Sequence, residues 1–173
     1  TLATNFTYDA MDRLTSTGLA GRTFINYTYN NQGLLDSIPG FISNIDYNQR
    51  NLPKGRVYAN SLATNFTYDV KNFRLKRITT SSKQDINYIY DNVGNVKNIN
   101  DTINLRKETM LYDAFDRLIS SLRTDNNVKK FYHNFTYNSI GNMLNITKDA
   151  DEDWIFYYNG SKPMHMPHRV VLR

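Results

Sequence analysis

The sequence predicts an all-β chain of repeated β-hairpins stacked into a curved sheet. The first observation is a phrase, aromatic–Thr/Ile–Tyr–Asp/Asn, that returns at Phe6-Thr7-Tyr8-Asp9, Tyr27-Thr28-Tyr29-Asn30, Phe66-Thr67-Tyr68-Asp69, Tyr88-Ile89-Tyr90-Asp91 and Phe135-Thr136-Tyr137-Asn138. Looser copies are Met110-Leu111-Tyr112-Asp113 and Ile45-Asp46-Tyr47-Asn48. The second is phasing. The tyrosines at 8, 29, 47, 68, 90, 112 and 137 are separated by 21, 18, 21, 22, 22 and 25 residues, a period that marks stacked repeats. The third is composition: 13 Tyr and 9 Phe, with Thr throughout, favour strands. Helical signals are weak, since segments such as 105–110 are short and lack apolar 3.6 spacing.

One repeat shows why each element forms. In the stretch 85–99, Ile86, Tyr88 and Tyr90 alternate with Asn87 and Ile89, the two-residue period of a strand. Asp91 ends that strand, because its short carboxylate can accept N–H bonds from the residues ahead and start a turn. Gly94-Asn95 supplies residue types that tolerate positive φ, and Val96 and Ile99 open the returning strand. A second turn type reads Tyr8-Asp9-Ala10-Met11-Asp12-Arg13-Leu14 and Tyr112-Asp113-Ala114-Phe115-Asp116-Arg117-Leu118, with Asp in the glycine slot. Asp and Asn visit the left-handed region more readily than other non-glycine residues. Gly33 and Gly141-Asn142 follow the glycine version. The four prolines, Pro39, Pro53, Pro163 and Pro167, sit where a ladder break is tolerated.

An isolated hairpin is marginal in water, so hairpins at ~20-residue intervals must pair edge to edge. Tyr and Phe at i and i+2 are then expected to line one face as ladders, each cross-strand pair contributing roughly 0.2–1 kcal/mol. The expected product is a stiff wall with open edges, prone to self-association when isolated.

The bulk numbers exclude several function classes. The 21 Lys and Arg against 16 Asp and Glu leave a net charge of +5, but the cations are dispersed along the sequence, which argues against nucleic acid as a partner. Cysteine is absent, which removes disulfides, zinc thiolates and thiol nucleophiles together. No run approaches the ~20 apolar residues of a membrane span, and no signal peptide is visible. The chain begins inside a repeat without an initiator Met and is expected to be a single repeat segment, 1–173, of something longer.

With these repeats laid out, the chain resembles the RHS/YD-repeat family, which includes bacterial RHS polymorphic toxins, the shell-forming components of insecticidal Tc toxins and the teneurin YD shell. The residues 88–99 and 112–118 match the family's two alternating patterns nearly residue for residue, and 137–146 match with Asn in place of Asp. The tail, Phe156-Tyr157-Tyr158-Asn159-Gly160-Ser161-Lys162-Pro163 and then Pro167-His168-Arg169-Val170, resembles the family's Pro-His segment, with Arg169 where Ala is usual and Met164-His165-Met166 as an insertion. The resemblance implies a sheet wound spirally into a hollow shell that encloses a C-terminal toxin or linker of the same polypeptide. It also implies a secreted or surface-displayed protein. The family's autoproteolytic aspartate motif does not follow His168, so this segment is expected to be a non-enzymatic structural piece.

Sharper chemical readings are weaker. Asp9, Asp69, Asp91 and Asp113 could form a calcium ladder, but ~20-residue spacing does not converge the six to eight oxygens Ca²⁺ needs. Turn initiation explains them better. His133, His165 and His168 have no carboxylate cluster beside them, and no serine-nucleophile or phosphate-loop motif appears, so no catalytic, cofactor or metal site is expected. Seven sequons start at Asn5, Asn26, Asn65, Asn100, Asn134, Asn145 and Asn159. They could carry glycans in a secreted protein, yet strand alternation around an aromatic generates most of them automatically. The alternative function is adhesion to cell-surface glycans through an exposed Tyr/Asn face.

Overall fold

The computed structural model describes residues 4–19, 24–149, 152–158, 165–167 and 169–172. Asn159 and His168, with most of the Pro-His tail, lie outside the described residues. Two compact units, Thr1–Gln84 and Asp85–Arg173, divide the chain. The described residues contain strands and turns but no helix, and hence none long and apolar enough to cross a membrane.

In the first unit β1 (Thr4–Tyr8), β2 (Leu14–Leu19) and β3 (Ile25–Asn26) form an antiparallel sheet, and β4 (Thr28–Tyr29) pairs with β5 (Leu35–Ser37). Then β6 (Ile42–Tyr47), β7 (Pro53–Tyr58), β8 (Ala63–Tyr68) and β9 (Leu75–Thr80) lie side by side in chain order. The second unit continues the same plan with β10 (Gln84–Tyr90), β11 (Val96–Asp101), β12 (Arg106–Tyr112), β13 (Leu118–Asp125), β14 (Val128–Tyr137), β15 (Met143–Lys148), β16 (Glu152–Tyr157) and β17 (Arg169–Leu172). From β10 to β17 each strand pairs antiparallel with its successor, as ~20-residue hairpin repeats require.

Every repeat tyrosine sits at a β-bulge. Thr7 opposes Ser16 but Tyr8 opposes Leu14, and the same slip sets Tyr29 against Leu35, Tyr47 against Pro53, Tyr68 against Leu75, Tyr90 against Val96, Tyr112 against Leu118 and Tyr137 against Met143. A bulge adds one unpaired residue and increases local twist. The expected aromatic ladder takes a mixed form, since Phe66, Tyr88 and Phe135 face Ile78, Ile99 and Ile146 rather than second rings. Rings do meet along β14, where His133 lies between Phe131 and Phe135 at centroid distances of 5.0 and 6.2 Å, tilted by 43° and 41°.

These sheets have almost no core. Ile45 is the one buried hydrophobic residue among those described, while Thr64, Thr80, Asp101, Ser120 and Asn142 are buried polar residues. Some of these buried polar groups pair inside the sheet itself, as in the 2.6 Å hydroxyl contact between Thr64 and Thr80. Stability rests on neighbour-to-neighbour pairing rather than on one hydrophobic centre.

Candidate functional site: the seam between repeats

The turn after each tyrosine is built by one side chain. Asp91 Oδ1 accepts the N–H groups of Val93, Gly94 and Asn95 at 3.1, 2.7 and 2.9 Å. Asp9 accepts from Met11 and Arg13, Asp113 from Phe115 and Arg117, and Asp69 from Lys71 and Asn72. Asn30, Asn48 and Asn138 hold their turns in the same way. The carboxyl of Asp9 lies below its usual range, first because of the Arg13 N–H. Burial pushes those of Asp91 and Asp113 up, but the N–H bonds outweigh it and both are lowered. Carboxylates so engaged are turn anchors. Among the described residues no group of three His, Cys, Asp or Glu could hold a metal ion.

The slot that follows takes positive φ throughout: Asp12 at 57°, Gly33 at 79°, Gly94 at 118°, Asp116 at 60° and Gly141 at 89°. Asn51 (60°) fills it in the third turn, which the sequence reading passed over. In the fourth turn, longer by one residue, Phe73 (59°) fills it. A bulky residue there is strained, and the guanidinium carbon of Arg50 lies 3.5 Å from the centroid of its ring.

The tyrosine hydroxyls join one repeat to the one before. Tyr29 donates to the Leu14 carbonyl, Tyr47 to Leu35, Tyr68 to Pro53, Tyr112 to Val96 and Tyr137 to Leu118, at 2.7 to 2.9 Å. Each acceptor is the residue opposite the preceding repeat's tyrosine at its bulge. Tyr8, in the first repeat, is 59% exposed. Tyr158 extends the series by bonding the Met143 carbonyl at 2.9 Å. It begins an eighth copy that its Tyr-Asn-Gly context, 21 residues after Tyr137, could have signalled. Burial raises the pKa of Tyr47, Tyr68, Tyr112 and Tyr137.

The residue after the slot also crosses the seam. Arg117 holds Asp113 Oδ2 through Nε and Nη2, both at 2.7 Å. It also donates to the Asn138 carbonyl at 3.1 Å and lies 4.8 Å from the Tyr137 ring centroid. Arg13 pairs with Asp9 and lies 4.6 Å over Tyr29. Asn95 bonds both Asp91 and, in the next turn, Asp116, while buried Asn142 meets His165. On β1, β8 and β14 the sequon residues Asn5, Asn65 and Asn134 alternate out of phase with Tyr8, Tyr68 and Tyr137 and so fall on the opposite pleat. Asn5, Asn26 and Asn65 are exposed, whereas the amide oxygens of Asn100 and Asn145 are buried without a partner.

A repeated hairpin with a bulged tyrosine, an Asx turn and a hydroxyl seam defines a YD-repeat β-sheet. Solved structures similar to this chain in fold are Tc toxin complexes. The chain is 21% identical to a TcdB2-TccC3 crystal structure at a TM-score of 0.75 over 99% of its residues. It is 20% identical to TcdB2-TccC3 without its hypervariable C-terminal region (TM-score 0.75, 99%). It is also 20% identical to the Photorhabdus luminescens Tc holotoxin pore (TM-score 0.73, 98%). The chain spans 10% of the length of each of these. No family model and no curated protein matches it. Its fold is that of the YD-repeat sheets its sequence resembles.

Proposed function

We propose that this chain is a non-enzymatic wall segment of a large extracellular YD-repeat protein, contributing to a shell that encloses another part of the same polypeptide. The observation that carries the reading is the tyrosine seam. Chemistry-bearing side chains of the motif are engaged in joining repeats, and the sheet they build has almost no core of its own. Adhesion to glycans gains little from these tyrosines, whose hydroxyls are committed to backbone carbonyls and whose rings are half-buried.

The test is protease shielding in the polypeptide that carries this segment. An enclosed C-terminal region resists trypsin in the intact protein and becomes cleavable after the shell is opened with denaturant. Equal cleavage before and after opening overturns enclosure. A glycan array bound by the isolated chain, and silenced by substituting Asn and Thr on the sequon face, would favour adhesion instead.

A further inference from the structure

The fold gathers cations that the sequence disperses. Residues 42–80, the span of β6 to β9, hold seven Lys or Arg against two Asp, a surplus of +5, while the rest of the chain balances 14 against 14. The whole net charge therefore lies on the four neighbouring strands β6 to β9 and their turns. Six of the seven cations stand at one end of these strands, on or beside the turns 48–52 and 69–74. Lys54 and Lys76 are the residues skipped at the bulges of Tyr47 and Tyr68. They lie on β7 and β9, two strand spacings or about 10 Å apart. Both are exposed, as are Arg50 and Lys71, and Arg74 and Arg77 add further charge. The acids are engaged locally: Asp69 anchors its own turn, and Asp46 accepts from Asn44 at 3.0 Å.

The same geometry selects the kind of anion. Phe73 is the one aromatic residue in the two turns, and the Arg50 guanidinium lies over its ring. With Arg50 on one face of its ring, Phe73 leaves a nucleobase or a sugar at most its other face, not the run of free aromatic platforms that single-strand binding uses. A guanidinium lying flat on a ring directs its N–H fork outward in its own plane, the geometry that grips a carboxylate bidentately. An extended peptide presents same-side groups every ~7 Å, so a few acidic side chains span the ~10 Å between Lys54 and Lys76.

We propose that the turn end of β6–β9 is a docking surface for an acidic polypeptide segment, lying extended across the two turns with its carboxylates on Arg50, Lys54, Lys71 and Lys76. The surface is independent of the shell reading, since a wall segment needs no basic end.

The test uses the 173-residue chain and fluorescent poly-L-glutamate, followed by anisotropy at low salt. Three exposed charge contacts, each modest alone, make Lys54→Gln/Lys71→Gln/Lys76→Gln weaken binding by about tenfold. The control Lys97→Gln/Lys107→Gln/Lys130→Gln in the second unit shifts it by less than about twofold. The charge-keeping Lys54→Arg/Lys71→Arg/Lys76→Arg retains binding. Where the glutamine triple loses its strand circular dichroism, Arg50→Gln decides, with a loss of about threefold expected. Equal losses in both glutamine triples, no binding by the unsubstituted chain, or displacement of polyglutamate by duplex DNA at lower charge concentration each overturn the proposal.

Discussion

The hydroxyl of Tyr112 donates to the carbonyl of Val96 at 2.9 Å, and Val96 is the residue that opposes Tyr90 across the preceding hairpin. One tyrosine thus opens its own turn and fastens that turn to the bulge before it. The same bond recurs from Tyr29 to Leu14 and from Tyr137 to Leu118, which makes the sheet a series of nearest-neighbour links.

Removing the link has a defined effect. Tyr112→Phe keeps the ring and leaves the Val96 carbonyl without its hydroxyl donor, so urea unfolding should show a loss of about 0.5–1.5 kcal/mol. Tyr8→Phe, at an exposed position, should change stability by less than about 0.5 kcal/mol. Equal effects at both sites would contradict the seam.

Glycine is favoured at Gly141 by conformation rather than by space. Its φ is 89° and nothing lies within 4 Å of an added Cβ, so Gly141→Ala should lose about 1–2 kcal/mol from backbone strain alone. Gly55 has no positive φ, and its Cβ would meet Asp46 Oδ2 at an ordinary 3.5 Å. Thermal melts should therefore show Gly55→Ala to be the milder change.

Acid should loosen the turns. Asp9, Asp69, Asp91 and Asp113 have carboxyl groups lowered in the folded state, so their contribution is present above the unfolded value of about 4 and is lost as pH falls through the folded one. Circular dichroism from pH 7 to 2 should show a plateau down to about pH 4 and a decline below it. Asp91→Asn should flatten that decline. A transition centred near neutral pH would count against the carboxylates as its cause.

Arg117 should not be replaceable by lysine. The lysine ammonium cannot hold Asp113 Oδ2 through two nitrogens while also reaching the Asn138 carbonyl. Arg117→Lys should speed amide hydrogen exchange in the turn 138–142 by roughly two- to tenfold, with the turn 30–34 in the first unit unchanged as the internal reference.

Local grammar was legible because its bonds are short in sequence. An Asx turn closes within five residues, so Asp9, Asp91 and Asp113 could be read as turn anchors, and Asp12, Gly94, Asp116 and Gly141 occupy the left-handed slot as expected. Phe73 was illegible in that slot, since no propensity places a phenylalanine at positive φ. Tyr158 was hidden by its place in the tail segment.

The sequence by itself determined the strands, the turns and the repeat period, because alternation and Asx chemistry act between residues a few positions apart. Tertiary structure decided where each tyrosine hydroxyl goes, since its acceptor lies 12 to 19 residues away and is presented by the bulge of the neighbouring hairpin. Stacking likewise decided that Lys54 and Lys76, 22 positions apart in the chain, share one basic end of β6–β9. Pairing register sets both, and register is a property of strands side by side rather than of any one of them.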